Sequence, residues 1–371
     1  MASLLASALA GGFINILYYA AEAFQEHSNI LVWFIPLAGL ALALVNRLKY
    51  FRNCEQETSP ALTPYMYITS FWSHLFGASV GREGAAIQIG ASMAEFVRRR
   101  LKGEEAHRLL FAHAGVAAAF CVALGTPLSA VMFALEYKKE KNRLNFAASL
   151  FGSFIGWLVM KVLPVHHWQA PSIELRLSEL SLLGFIGLSL GLWLLANSFV
   201  WSEAWAAQLF ARIPTWSLLA VSGLFISGAT LFVGHTDFNN FGTPLLDHSF
   251  IAPTTLSSAF GKIFFTFVSL TGGWKGGAFV PLMVGGGMVA SWASFFLGMP
   301  TAVAAGLGVF AVVHRKFNIP LTSALITGEL FGWKMGLLAV PIHMMIRFFR
   351  PKLWLEVLGQ RKMRSSRRSS I

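Results

Sequence analysis

Apolar segments long enough to enter or cross a bilayer recur along this chain, at residues 1–21, 30–45, 62–80, 146–163, 180–200, 216–233, 256–270 and 279–297, with shorter ones between them. Hydrocarbon offers backbone N–H and C=O groups no partners, so a segment there is either a helix or a strand of a closed barrel. These runs lack the alternation of barrel strands and are too long and too continuously apolar for them, which predicts helices. With 55% hydrophobic and 12% charged residues, the chain has too few polar groups to coat a globule of 371 residues. No basic leader precedes the first segment and no clear cleavage site follows it, so it is expected to remain in the mature protein.

The net charge of +12 raises the question of nucleic acid, and its location answers it. Residues 347–371 hold eight Lys or Arg against one acid, Glu356. Such a tail beside a membrane segment reads as a cytoplasmic topology determinant touching anionic lipid, not as a nucleic-acid site. Further basic clusters fall at 47–52, 98–102 and 138–143, separated by even numbers of apolar elements, which puts all of them on the cytoplasmic face. The loop 164–169 then faces outside, and its His166 and His167 read as solvated loop residues. Cys54 and Cys121 have no metal-ligand spacing and argue against a disulfide framework. No cofactor or metal site is expected.

The chain repeats itself. Gly81-Arg82-Glu83-Gly84 has a counterpart in Gly273-Trp274-Lys275-Gly276, and Pro127-Leu-Ser-Ala-x₅-Glu136 in Pro320-Leu-Thr-Ser-x₅-Glu329, 192 and 193 residues on. Duplicated halves with Gly- or Pro-interrupted apolar segments point to a secondary-transporter fold whose site lies where the broken helices meet. A helix starting inside the membrane presents free N–H groups and a positive dipole end to an anion, and glycine lets the backbone approach it. The anion-binding candidates are therefore Gly81, Arg82, Gly84 and Ala85 in one half and Gly276, Gly277, Ala278, Phe279 and Val280 in the other. Glu83 is the gating candidate, because a carboxylate there competes with the anion until it is protonated; the plain alternative is an ion pair with Arg82. Lys275 either concentrates anions at a pore mouth or serves a salt bridge. Glu136 and Glu329 end apolar helices, where they cap, pair with basic neighbours or face a dimer contact. His74 and His113 read as packing histidines, His235-Thr236-Asp237 as a helix stop, and Gly77-Ala-Ser79-Val-Gly81, formally a nucleophile elbow, lacks the strand that motif needs.

Residues 73–88 (SHLFGASVGREGAAIQ) resemble the filter segment of the CLC anion-transporter family, and most closely that of its bacterial fluoride branch. Residues 125–136, 272–282 and 319–332 resemble its later signatures. The resemblance implies an all-α polytopic membrane protein of CLC type with two inverted-topology repeats and broken helices meeting near the bilayer midplane. It further implies transport of chloride or fluoride, with protons a second candidate, a homodimer, a gate at Glu83 and both termini cytoplasmic, in a bacterial inner membrane. The transmembrane domain spans residues 1–350, with halves of roughly 1–164 and 175–350, and residues 351–371 form the tail. There are departures. The family's first filter segment is replaced by the short polar stretch 50–64; its inner proton-relay acid falls at Tyr137; and the acid and hydroxyl of the fluoride branch fall at Ala278 and Val280. Trp354 is the nearest match for the tyrosine that closes the ion site from inside, and its indole only donates. Anion transport uncoupled from protons is thus one expectation, and a non-transporting paralogue that keeps the scaffold is the other; neither is an enzyme.

The topology has a direct check: a cysteine placed at Ser369 resists an impermeant thiol reagent in intact cells, and one at Gln169 reacts. The reverse pattern overturns the orientation.

Overall fold

The computed structural model describes residues 1–48, 59, 61–140, 142–176, 178 and 180–349. Trp354, Cys54, the tail 351–371 and most of the polar stretch 50–64 lie outside the described residues. The helices are α1 (Ala2–Glu26), α2 (Ser28–Arg47), α3 (Leu62–Leu75), α4 (Glu83–Arg100), α5 (Arg108–Leu124), α6 (Pro127–Lys138), α7 (Arg143–Val162) and α8 (Leu182–Leu209). The second half continues with α9 (Thr215–Val233), α10 (Thr243–Ile251), α11 (Leu256–Gly272), α12 (Phe279–Leu297), α13 (Thr301–Gly308), α14 (Ala311–Phe317), α15 (Pro320–Phe331) and α16 (Trp333–Phe348). Among the described residues, seven helices are long and apolar enough to cross a membrane: α1, α2, α5 with its preceding turn, α7, α8, α9 and α12. The only extended pairing there is a single isolated bridge, between Gly81 and Gly277.

The run 62–80 is not one helix. It stops at Leu75 because the chain turns at Gly77, whose φ of +67° favours glycine and where a Cβ would stand 2.3 Å from the Phe24 ring. Residues 76–82 then return toward the middle of the molecule, and α4 starts there. The second half does the same: α11 ends at Gly273, in the left-handed region, and α12 starts at Phe279.

The Pro-to-Glu motif of each half proves to be a reciprocal cap. Pro127 is the first residue of α6 and has no N–H to satisfy. The next two amides, of Leu128 and Ser129, donate to the Glu329 carboxylate at 2.9 and 2.8 Å, and the Ser129 hydroxyl donates to it as well. In the other direction, Leu321 and Thr322 at the start of α15 donate their amides to Glu136 at 3.2 and 2.9 Å, with the Thr322 hydroxyl at 2.8 Å. Each carboxylate lies near the C-terminal end of its own helix and at the N-terminal end of the other, so α6 and α15 are antiparallel. The charge meets the positive end of the partner's dipole as well as its free N–H groups. Of the readings open to these two glutamates, capping is the one these contacts show.

Replacing Glu136 or Glu329 by Ala leaves two helix-end amides and a hydroxyl unpaired, and is expected to cost about 2–4 kcal/mol of stability. Thermal unfolding in detergent reads it as a clear fall in Tm. A Tm matching that of Glu22→Ala, at an exposed position, removes the caps from any account of stability.

Candidate functional site

The Gly81–Gly277 bridge sets the geometry of the site. Gly81 N–H donates to the Gly277 carbonyl and Gly277 N–H to the Gly81 carbonyl. In each half the helix begins two residues beyond the bridged glycine, α4 at Glu83 and α12 at Phe279. The structural partner of Gly81 is therefore Gly277, four residues past the Gly273 that the sequence repeat aligns with it. No side chain fits at the crossing: a Cβ on Gly277 would stand 2.7 Å from the Gly84 nitrogen, and one on Gly84 3.1 Å from the Gly277 Cα. The first turns of two helices, with the free amides of Glu83, Gly84 and Ala85 on one and of Phe279 and Val280 on the other, are brought together at one point. Gly81, Arg82, Gly84, Ala85, Gly276, Gly277, Ala278, Phe279 and Val280 are all part of this junction.

Glu83 is 1% exposed. Its carboxylate doubles back over the start of its own helix, where Oε2 accepts from the Arg82 amide at 3.2 Å and Oε1 from Arg82 Nε at 3.3 Å. The pairing with Arg82 and the placement at the helix end are thus both present. The Arg82 guanidinium lies over the Phe241 ring, 5.0 Å from its centroid, and its Nη1 is buried without a hydrogen-bond partner.

A cavity of about 250 Å³ opens on Arg82 and Glu83. Its far wall is the 164–169 loop, with His166, His167, Trp168 and Gln169 all lining it. These histidines are not free in solvent, because residues about 150 positions earlier hold the loop down. Asn15 donates to the Pro164 carbonyl at 2.7 Å and accepts from the His166 amide at 3.0 Å, while Tyr18 stacks on the His166 ring at 4.3 Å. His167 Nε2 donates to the Val122 carbonyl at 2.6 Å, and Trp168 Nε1 to Asp247 at 2.6 Å. Burial pushes the His167 imidazole below its usual range, the Val122 carbonyl opposes that, and the Arg82 charge adds to it.

Lys275 does not line this cavity; its ammonium lies 5.9 Å from the centroid of the Tyr65 ring and its amide donates to Ser73. Tyr137 stacks on Phe133. His74 and His113 are buried and bonded to carbonyls one turn back, as packing histidines are. Cys121 is a buried free thiol. The Ser79 hydroxyl is no nucleophile: it accepts from Lys262 Nζ at 2.9 Å and pairs with Thr266.

Lys262 was not singled out by the sequence motifs, yet it is fully buried just behind the junction. Besides Ser79, its ammonium donates to the carbonyls of Phe238 at 3.0 Å and Asn240 at 2.7 Å. Among the described residues no carboxylate pairs with it, and its amino group is held at Ser79, two residues before Gly81. A lone lysine inside the apolar run 256–270 was the available signal, since ionisable residues in membrane segments are functional by default.

Residues 47–346 match the family model described as voltage gated chloride channel. A chloride/fluoride channel protein of Pseudomonas syringae pv. tomato is 27% identical, over 91% of this chain and 80% of that one. The crystal structure of a CLC-type fluoride/proton antiporter superposes with a TM-score of 0.85 at 21% identity, covering 94% of this chain and 93% of that chain. A slow cyanobacterial Cl⁻/H⁺ antiporter gives 0.79 at 19%, covering 97% and 96%.

A methyl group at the crossing has to push the two segments apart, so Gly277→Ala is expected to lower stability by about 1–3 kcal/mol. Gly191→Ala, in α8 with open space around it, is the control and leaves Tm unchanged or slightly higher. Equal melting of the two variants contradicts the close approach.

Proposed function

This chain belongs to the voltage-gated chloride channel family, the CLC family, and from that premise we propose that it carries a small halide, chloride or fluoride, across the membrane with Glu83 as the gate. The observation that carries the reading is the Glu83 carboxylate lying at the start of α4, beside the start of α12. An anion bound to these amides and a carboxylate bound to them are competitors for the same positive helix ends. The ionised side chain holds the place and the protonated one has no claim on it, so the gate opens as the carboxyl takes up a proton. Lys262 and Arg82 bring positive charge to the same neighbourhood, which favours anions over cations. The protein is a transporter and not an enzyme.

The finer reading is that flux is not stoichiometrically coupled to protons. An exchanger needs a titratable group on each side of the anion site. Tyr137, Ala278 and Val280 stand where family relatives place such groups; alanine and valine cannot titrate, and a phenol, with an ordinary pKa of about 10, is a poorer shuttle at neutral pH than a carboxyl. We assign the transmembrane unit to residues 1–350 of a homodimer, with one pathway per subunit, the tail 351–371 and the N-terminus in the cytoplasm, and the bacterial inner membrane as its place.

Purified protein in liposomes tests both parts. Glu83→Gln and Glu83→Ala are expected to change the pH dependence of halide flux between acidic and neutral pH by removing the part that belongs to Glu83, while leaving expression and oligomeric state intact; wild-type behaviour in both variants discards the gate. Under an imposed pH gradient the reversal potential is expected to follow the halide gradient alone, and a stoichiometric shift with pH means that another residue carries the proton. No halide flux from the wild-type protein favours the scaffold reading.

A further inference from the structure

We infer that His167 is a switchable positive charge at the outer mouth of the anion pathway, which together with Arg82 forms an anion-binding station in front of Glu83. The inference rests on the transport reading above and adds a second pH-sensitive element to it.

Three observations meet in the cavity. First, His167 and the Arg82–Glu83 pair line the same space of about 250 Å³. Second, Arg82, one of the residues lining that space, is 7% exposed and its Nη1 has no hydrogen-bond partner, so a permanent cation beside the cavity carries an unsatisfied buried donor. Such a donor costs stability unless something occupies it, and the occupant that suits it is an anion. Third, His167 is held rigidly. Its Nε2 faces the Val122 carbonyl, which only accepts, so Nε2 keeps its proton and the second proton goes to Nδ1. The ring therefore turns cationic without losing its anchor.

The other groups facing His167 sharpen the assignment. From α4 these are Arg82 and Glu83, and from α1 Tyr18, which stacks on His166. From the loop itself it is His166, tied to Asn15 through both its amide and its ring. From α10 it is Asp247, already engaged by Trp168. The walls contributed by α5, α12 and α15 are apolar. Glu83 is thus the one carboxylate at the inner end of the cavity, and its charge and that of His167 respond to acid in complementary ways. As pH falls, Glu83 loses its negative charge and stops competing with the anion. His167 gains a positive charge and draws the anion in. Because burial lowers the imidazole's affinity for protons, the His167 step lies below the ordinary imidazole range, and an anion in the cavity raises it.

The test uses the Glu83→Gln background, in which the gate cannot titrate. Halide efflux from liposomes, measured at symmetric pH from about 7.5 down to about 4.5, is expected to rise in this variant by roughly three- to tenfold, the range for one added charge at partly screened contact. In Glu83→Gln with His167→Gln the rise disappears. In Glu83→Gln with His167→Arg the flux is at its acid level already at neutral pH. A rise that survives His167→Gln, or one that is lost with His166→Gln instead, overturns the proposal while leaving the gate intact. If the wild-type protein passes no halide, the transport reading fails separately. The station is then judged by the rise in Tm that added fluoride or chloride produces at acidic pH: His167→Gln shrinks that rise if the station exists, and leaves it whole if it does not.

Discussion

Two backbone hydrogen bonds between Gly81 and Gly277 hold the halves of the chain together where each has a broken helix. In the interior of a membrane protein no water is at hand for the amides of an interrupted helix, and each one left unpaired costs several kcal/mol. The first half cannot satisfy its extended residues alone, and neither can the second. Set edge to edge, they satisfy each other, and the helices that follow start two residues beyond the bridge in both. The absence of side chains at Gly277 and Gly84 then lets the two starts approach closely. What is exposed at the junction is backbone amide, and the chemistry of the site follows from that.

The charges around the junction are arranged with little redundancy. Arg82 and Glu83 are adjacent in sequence and paired in space, one at the last residue before α4 and one at its first. Lys262, packed behind the same segment, has only neutral oxygens for partners. With Arg82 and Lys262 both protonated, the two cations balance an ionised Glu83 and one bound anion, and they exceed the anion by one charge once Glu83 is protonated. The buried ammonium also ties the segment at Ser79 to the loop that leads into α10, so the same residue fixes position and field.

Much of this was legible in the sequence, because its physical cause is local. Apolar runs of bilayer length gave the helices, the Gly-rich entries gave the helix starts, and the spacing from Pro to Glu marked a pair of structural units. What that spacing meant was not legible, since each glutamate acts on the other half, nearly two hundred residues away. The break after Leu75 was hidden because the residues around Gly77 are as apolar as the helix before them; it takes the Phe24 ring to show why the chain turns there. The same holds for His166 and His167. Their loop looks polar and free until Asn15 and Tyr18, at the far end of the chain's first half, are seen holding it against the cavity. Lys262 is different: it belongs to no motif, but as a lone lysine within the apolar run 256–270 it was legible from its surroundings in the sequence.

The reciprocal caps carry one more consequence. A contact in which one residue of a first unit meets a second residue of its counterpart, while the counterpart returns the same contact, is what a two-fold axis produces between identical chains. The arrangement of α6 and α15 therefore has the geometry of an isologous interface joined into a single polypeptide. The two copies differ nearly everywhere, as Gly81-Arg82-Glu83-Gly84 and Gly277-Ala278-Phe279-Val280 attest. At the caps they do not, and a change in the glutamate of either unit is felt at the helix end of the other. The Pro, the hydroxyl residue and the acid of each half take part in one paired contact, and they are the clearest trace of the repeat in the sequence.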